Sequence, residues 1–145
     1  MKRIDFLISG FYIGYIKYAP GSIASFLALL VYYFIPNILF YQILILLLLI
    51  VFSFYLCFIY SKNSIIKDPS YIVIDEIVGM YIAVFMLPKL ILLYSIAFLL
   101  FRFLDISKPF FIDKSQNLNY GIGIMMDDIL SGMIALLICW SIYLW

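Results

Sequence analysis

The chain has 145 residues, of which 68% are hydrophobic and only 12% are charged. A soluble domain of this length could not hide so much apolar surface, because its surface-to-volume ratio is too high, so most of the chain is expected to face lipid. The formal net charge of +1, without any basic block, gives no indication of nucleic-acid binding. The chain contains no histidine, which excludes serine–histidine triads, phosphohistidine intermediates and histidine-dependent lipid phosphatases.

The N-terminal segment starts with Lys2 and Arg3 ahead of apolar residues, as a signal peptide does. Lys17 and Pro20 follow, and no convincing small-residue cleavage site is present, so we expect the segment to be retained. Residues 4–18 contain two glycines and are interpreted as an interfacial or re-entrant segment.

Five longer apolar segments follow, and each is predicted to form a helix. The first begins after a turn, with Ser22 as its N-cap. It covers only about 20–25 Å at about 1.5 Å per residue, which is short for a hydrocarbon core of about 30 Å. The predicted helices extend over residues 22–35, 38–60, 71–87, 90–104 and 123–145. The chain is therefore predicted to be a single all-α domain, residues 1–145, built as a polytopic membrane bundle of about five helices.

Charged residues are distributed unequally between the two ends of this predicted bundle. Only Lys89 falls at one end, whereas the other eight Lys and Arg residues fall at the opposite end. The positive-inside rule assigns the basic end to the cytoplasm. All eight Asp and Glu residues also belong to that end, so helices distant in sequence place their charges at one membrane surface. A site built from them would face the cytoplasm.

Two pairs of adjacent acids stand near the starts of apolar helices, Asp75–Glu76 and Asp127–Asp128. A carboxylate near the middle of a membrane helix raises the free energy of membrane insertion by about 2.5–3.5 kcal/mol. Two adjacent carboxylates are therefore unusual in a membrane helix unless they have a function. Together the pairs could supply the oxygen ligands that Mg²⁺ prefers. Alternatively, they are ordinary helix-start acids favoured by the helix dipole. Gly79 and Gly132 follow the pairs by about one turn and predict close contact between helices.

Arg102, Asp105 and Lys108 are spaced by three residues and share one face if their helix continues that far. They are either a local ion-pair ladder or a cationic clamp for phosphate, with Asp105 as an orienting group or further ligand. The Pro20–Ser22 segment brings free backbone N–H groups to a helix N-terminus at the same end, which is a natural phosphate seat. A positive cradle beside Mg²⁺-binding acids suits hydrolysis or transfer of a lipid phosphate.

Four motifs occur in an order that resembles one known family. They are Ala19-Pro20-Gly21-Ser22, Ile74-Asp75-Glu76-Ile77-Val78-Gly79, Phe101-Arg102-Phe103-Leu104-Asp105-Ile106-Ser107-Lys108-Pro109 and Gly121-Ile122-Gly123-Ile124-Met125-Met126-Asp127-Asp128. Together they resemble phosphatidylglycerophosphatase A, a bacterial membrane enzyme family, over nearly the whole chain from Gly10 to Gly132. The resemblance implies an Mg²⁺-dependent phosphatase of the inner membrane that removes the terminal phosphate from phosphatidylglycerophosphate and leaves phosphatidylglycerol.

The chain departs from the family's usual pattern at four positions. The family usually has Pro-Gly-Thr-x-Gly-Ser in the first motif, where Ser22 and Ala24 here replace the threonine and the second glycine. Tyr120 replaces the first glycine of a Gly-Gly pair, and Ser131 replaces an alanine. Ser22 keeps the hydroxyl group, whereas Tyr120 is the change that most alters the loop.

The resemblance and the residue patterns together give a hypothesis for each site residue. The Mg²⁺ ligands are expected to be Asp75, Glu76, Asp127 and Asp128. The catalytic residues are expected to be Asp75, Glu76, Asp105 and Asp128. The substrate phosphate is expected to be bound by Pro20, Gly21, Ser22, Arg102 and Lys108. Phosphorus would be attacked either by water activated by the metal or a carboxylate, or by an aspartate nucleophile.

Three other functions remain possible interpretations of the sequence. A small ion-coupled transporter would have acids near the bilayer midplane or at both ends, whereas here they gather at one end. A lipid phosphotransferase is the nearest enzymatic alternative, and a non-catalytic membrane scaffold would leave the clustered acids unexplained. The expected partner is a membrane phospholipid, without nucleic acid, and the oligomeric state is left open.

Overall fold

The computed structural model of the chain describes residues 2–63, 69–109, 112 and 121–145. In these ranges every regular element is a helix, which confirms the predicted all-α class. The parts of the predicted polar loops at residues 64–68 and 113–120, including Tyr120, lie outside the described residues. The helices are α1 (Lys2–Ile8), a short 3₁₀ helix (Ile13–Tyr15), α2 (Pro20–Phe34), α3 (Leu39–Asn63), α4 (Ile74–Ala83), α5 (Ile91–Ser107) and α6 (Ile122–Leu144).

The N-terminal segment is packed along the bundle and does not cross it. Neither α1 nor the 3₁₀ helix is long enough to span a hydrocarbon core of about 30 Å. The backbone N–H of Val73 donates to the carbonyl of Ile8 at 3.0 Å, and the ring of Tyr15 stacks on that of Tyr71. The segment carries exposed aromatic side chains, which are typical of a segment at a membrane interface.

Helix α2 begins two residues earlier than predicted. Its N-cap is Ala19, in the left-handed region with φ of 45°, and Pro20 is the first helical residue. Proline suits this position because its ring fixes a helical φ and its missing N–H would have had no partner inside the helix. The prediction that Ser22 caps the helix is wrong, since Ser22 lies inside the first turn.

Helix α4 is much shorter than the predicted helix over residues 71–87. It has only ten residues, about 15 Å at about 1.5 Å per residue, so it cannot cross a membrane by itself. Eight of the ten are buried, because α2, α3, α5 and α6 all pack against it. The prediction of a full-length helix here is wrong, and α4 is instead a central half-length helix. The surrounding helices, and not lipid, cover its apolar side chains.

Two helices in the described part of the chain are long and apolar enough to cross a membrane. They are the α3 segment Leu39–Lys62, with mean hydropathy 2.9, and α6, with mean hydropathy 2.0. In the most apolar 18-residue stretch of each helix, only 22% is buried inside the protein for α3, compared with 50% for α6. An apolar helix that leaves most of its surface uncovered is suited to lipid. The fold therefore indicates membrane association.

The two predicted turns at Pro36 and Pro88 meet at one end of the bundle. There the Nζ of Lys89 donates to the carbonyls of Tyr33, at 2.6 Å, and Ile35, at 2.7 Å, near the C-terminus of α2. A lysine at the C-terminal end of a helix satisfies carbonyls that have no partner inside that helix. The two turns therefore share one end, as the sequence pattern predicts.

Helices α4 and α6 approach each other through two glycines. A Cβ on Gly132 would overlap the carbonyl oxygen of Gly79, and one on Gly79 would lie 2.8 Å from the carbonyl oxygen of Asp128. Small residues allow such backbone-to-backbone contact. The predicted close contact is therefore present, and it brings the N-terminal part of α6 against the N-terminal part of α4.

Candidate active site

The charged side chains converge at the end of the bundle opposite Lys89. Helix α4 contributes acids from its first turn, α6 contributes acids from its second turn, and α5 contributes side chains from its C-terminal turns. In α4, the Oδ1 of Asp75 accepts a hydrogen bond from the N–H of Glu76 at 3.1 Å. Acids are favoured there because the first N–H groups of a helix have no partner inside it.

Five carboxylates form the centre of this convergence. Four of them are almost completely buried, with exposed fractions of 7% for Asp75, 8% for Asp105, 3% for Asp127 and 2% for Asp128. Glu76 has a side-chain exposure of 16%. Their oxygens form two groups of three, each within 4.8 Å, namely Asp75, Glu76 and Asp128, and Asp105, Asp127 and Asp128. Asp128 belongs to both groups.

Two basic side chains contact this carboxylate cluster. Arg102 donates from Nη1 to the Oδ2 of Asp105 at 2.6 Å and lies 3.9 Å from the Oε1 of Glu76. Lys108 lies 2.6 Å from the Oδ2 of Asp127. Helix α5 ends at Ser107, and Lys108 takes a left-handed φ of 40°, so its side chain reaches α6 and does not extend the Arg102–Asp105 pair along one face. A continuous ladder is therefore not formed.

The start of α2 forms one side of the cluster. A Cβ on Gly21 would overlap the Oε1 of Glu76 and would lie 3.2 Å from the Nη1 of Arg102. Pro20 precedes Gly21 as the first helical residue. Ser22 lies in the same turn and is half-buried, and no described hydrogen bond joins its hydroxyl to the charged side chains. The predicted phosphate seat therefore adjoins the acids through Gly21.

Ser25 also belongs to this site, although the sequence interpretation did not assign it a role. It is fully buried, donates to the carbonyl of Gly21 at 2.7 Å and accepts a long hydrogen bond of 3.5 Å from the Nη1 of Arg102. The available signal was its spacing, since a residue four positions after Gly21 returns to the same helix face. Ser25 thereby connects the first turn of α2 to Arg102.

The charge of the cluster fits a divalent cation. With all five carboxylates ionised, the two basic side chains that contact them among the described residues would leave three negative charges in excess. Buried charges are stable only when paired or coordinated. The Oε2 of Glu76 and the Oδ1 of Asp128 are buried without a hydrogen-bond partner among the described residues. An all-oxygen donor set of this kind suits Mg²⁺, so the residues present fit the predicted metal.

Replacing Gly21 by alanine tests whether the start of α2 shapes the site. The added methyl would meet the end of the Glu76 side chain, which can rotate away, so we expect the fold to survive. Activity should fall by about 10- to 100-fold, because a displacement of about 1 Å at a reacting centre can have that effect. The measurement is turnover per folded molecule together with the thermal unfolding midpoint. Unchanged turnover would place Gly21 outside the site.

Comparisons with known proteins find relatives over almost the whole chain. The family model for phosphatidylglycerophosphatase A matches residues 6–143. Phosphatidylglycerophosphatase A of Haemophilus influenzae is 34% identical over 152 residues, covering 100% of this chain and 91% of that protein. The Escherichia coli protein of the same name is 35% identical over 133 residues, covering 89% of this chain and 77% of its own length.

A third relative carries a different name. A Bacteroides thetaiotaomicron protein, provisionally named a phosphatidylinositol-3-phosphatase, is 34% identical over 148 residues, covering 92% of this chain and 91% of its own length. No solved structure matches significantly. The family match over most of the sequence and the two relatives that share its name establish the assignment: the chain belongs to the phosphatidylglycerophosphatase A family and is a phosphatase.

Proposed function

We propose that the protein is an Mg²⁺-dependent lipid phosphatase that hydrolyses phosphatidylglycerophosphate to phosphatidylglycerol and phosphate. The observation that carries this proposal is the cluster of five carboxylates with Arg102 and Lys108, assembled by α4, α5 and α6 beside the start of α2. A phosphate monoester is a compact dianion, and a site with basic groups and a divalent cation is suited to it. The family membership supports the lipid substrate.

Mg²⁺ would be held by Asp75, Glu76 and Asp128, whose oxygens lie within 4.8 Å of one another, whereas the predicted ligand Asp127 lies in the other group, with Asp105 and Asp128. When bound, it would stabilise the negative charge that develops on the phosphoryl oxygens. Arg102 and Lys108 are the basic groups available to bind the phosphate, and each is already held in place by an acid. The N–H groups at the start of α2 offer further donors for the same anion.

Hydrolysis requires a water molecule in line with the phosphorus–oxygen ester bond. As the water oxygen bonds to phosphorus, a carboxylate of the cluster takes its proton, and the ester bond breaks. The leaving glycerol oxygen then accepts a proton, which yields phosphatidylglycerol and inorganic phosphate. We assign the proton acceptor to Asp105 or Asp128, which lie together in the group that also contains Asp127. Burial keeps other water away from this reaction.

The proposed location is the bacterial inner membrane, with the site at the cytoplasmic face. This places the N-terminal end of α6 inside and Trp145 outside. We expect a cysteine added after Trp145 to be labelled by a membrane-impermeant thiol reagent from outside the cell, whereas Cys57 and Cys139 are buried and should not react. Labelling only from the cytoplasmic side would contradict the proposed orientation and indicate the opposite one.

The decisive assay measures phosphate release by purified protein in detergent, with Mg²⁺ or with a chelator. The two substrates are phosphatidylglycerophosphate and, because of the third relative's name, phosphatidylinositol 3-phosphate. We expect Mg²⁺-dependent release from the first. Release only from the second would transfer the assignment to that lipid, and full activity in chelator would contradict the metal assignment. Absence of release from both would favour a transporter or scaffold.

A further inference from the structure

Helices α2, α3, α6 and α5 surround α4, so four seams between neighbouring helices connect the carboxylate cluster with the surrounding lipid. A lipid substrate has to place its phosphate in the cluster while its acyl chains stay in the hydrocarbon, because apolar chains are unfavourable in water. The chains must therefore leave the site between two of these helices.

Three of the seams are closed near the site in the part of the chain that the structure describes. Between α3 and α6, a Cβ on Gly121 would lie 2.5 Å from the carbonyl oxygen of Cys57, so the start of α6 rests on the backbone of α3. Between α2 and α3 lies the N-terminal segment, whose α1 packs on α3 and whose 3₁₀ helix packs on α2. Between α5 and α6, Lys108 pairs with Asp127, and both helices contribute to one buried core deeper in the bundle.

The fourth seam lies between α2 and α5, and its described contacts are between side chains. Helix α2 packs mainly on α4 and only weakly on α5. Near the site, the contact is the long hydrogen bond of 3.5 Å from the Nη1 of Arg102 to the Oγ of Ser25. The Nε of Arg102 is buried and has no hydrogen-bond partner within the described ranges. Deeper in the bundle, the rings of Phe26 and Phe98 meet edge to face, with centroids 6.2 Å apart.

Helical spacing aligns these residues along the seam. Phe98 lies four residues before Arg102 on the same face of α5, about 6 Å deeper in the bundle at about 1.5 Å per residue. Phe26 lies four residues after Ser22 on the same face of α2. The ring of Phe26 is 49% exposed and therefore accessible to lipid. The seam thus has polar groups beside the cluster and aromatic rings one turn deeper, in the order of a phospholipid headgroup and its chains.

We propose that the lipid substrate enters the site sideways from the bilayer, through the α2–α5 seam formed by Ser22, Phe26, Phe98 and Arg102. Its headgroup passes Ser22 and Arg102, and an acyl chain lies against the rings of Phe26 and Phe98. Side chains can rotate to admit the lipid, whereas the backbone contact between α3 and α6 cannot open in this way. This inference rests on the proposed phosphatase function and names the route by which the substrate of that site arrives.

A cross-link across the α2–α5 seam tests this route. In the variant Phe26→Cys/Phe98→Cys, a short bifunctional thiol reagent with a reducible bond ties the two helices one turn from the site. We expect kcat/KM for long-chain phosphatidylglycerophosphate to fall by at least about tenfold on cross-linking and to recover on reduction, because entry is blocked while the chemistry is intact. The affinity for Mn²⁺, which accepts the same oxygen ligands as Mg²⁺, should not change, because ions reach the site from water.

Tyr33→Cys/Tyr94→Cys is the matched control on the same two helices. The rings of Tyr33 and Tyr94 also meet edge to face, with centroids 6.3 Å apart, at the Lys89 end of the bundle. Tyr94 lies eight residues before Arg102, about 12 Å away along α5 at about 1.5 Å per residue. A cross-link there should leave lipid hydrolysis as it was before cross-linking. The two native cysteines are buried, so the reagent should not reach them.

A second measurement uses the parent protein without substitutions. Phosphatidylglycerophosphate that carries a photoreactive group in the upper part of an acyl chain should label Phe26 or Phe98. An excess of unlabelled substrate should suppress this labelling, because the seam binds the substrate specifically. Labelling of Leu47 and Leu48 on the exposed surface of α3 should persist under the same competition, because any lipid can occupy that surface.

The outcomes separate this inference from the proposed function. Undiminished lipid hydrolysis by the cross-linked Phe26→Cys/Phe98→Cys protein, or competed labelling only at another seam, would overturn the proposed route and leave the phosphatase function standing. Absence of hydrolysis by the parent protein would contradict the function, and the photolabelling would still decide whether the lipid lies between α2 and α5.

Discussion

Asp128→Asn is expected to abolish most phosphatase activity while the protein still inserts and folds. The substitution keeps the volume of the side chain and removes one charge from the residue shared by both carboxylate groups. Turnover should fall by about 100-fold or more, since changing even an outer residue of a metal site costs 10- to 100-fold. Metal affinity should fall with it. The measurement is turnover and Mn²⁺ affinity per folded molecule in detergent.

Asp5→Asn is the matched control for this experiment. It makes the same chemical change in α1, at a residue outside both carboxylate groups. Because most surface substitutions of this kind change little, activity and metal affinity should remain within about twofold of the parent. If Asp128→Asn retains near-normal turnover and metal affinity, the paired acids do not bind metal and are only the acids that the helix dipole favours near a helix start. The chemistry would then lie elsewhere.

Gly132→Ala is expected to reduce both stability and activity. The added methyl would overlap the carbonyl oxygen of Gly79, which is backbone and cannot rotate away, so α4 and α6 must separate. Overpacking of a tight interior typically costs about 1–3 kcal/mol. Separation of these helices would also displace Asp128 from Asp75 and Glu76. We expect a lower thermal unfolding midpoint, weaker Mn²⁺ binding and lower turnover.

The control is Ser141→Ala on the same helix. Ser141 is exposed and its hydroxyl donates to the carbonyl of Leu137, one turn earlier, so its removal should matter little. The contrast with Gly21→Ala is also informative, because there the added methyl meets a side chain and the fold should persist. Full stability and activity in Gly132→Ala would show that α4 and α6 are not in close contact.

The acids that the structure brings together could be recognised in the sequence because charge is rare in this chain. With only 12% charged residues, each acid in an apolar run was conspicuous, and Asp75–Glu76 and Asp127–Asp128 could be paired without a structure. The ends of α3 and α6 were also predictable within a few residues, because their apolar runs stop at polar segments. The family followed from four ordered motifs that resemble it.

Helix lengths inside the bundle could not be predicted in the same way. The run after Tyr71 stays apolar to Leu87, and hydropathy cannot distinguish a helix in lipid from one surrounded by other helices. Helix α4 nevertheless ends at Ala83, and the helices packed around it cover its apolar surface. The start of α2 was also predicted at the wrong residue. A serine after a turn caps a helix only when its own backbone is non-helical, and Ser22 is already inside the helix.

By itself, the sequence determined the all-helical class, the membrane character and the identity of the acids and bases, because these depend on composition and local spacing. Only the tertiary structure decided which charges meet. Lys108 pairs with Asp127 on another helix, and Asp128 lies between two groups of acids, because Gly79 and Gly132 let α4 and α6 approach closely. Such contacts join residues far apart in sequence, and no local pattern encodes their distances.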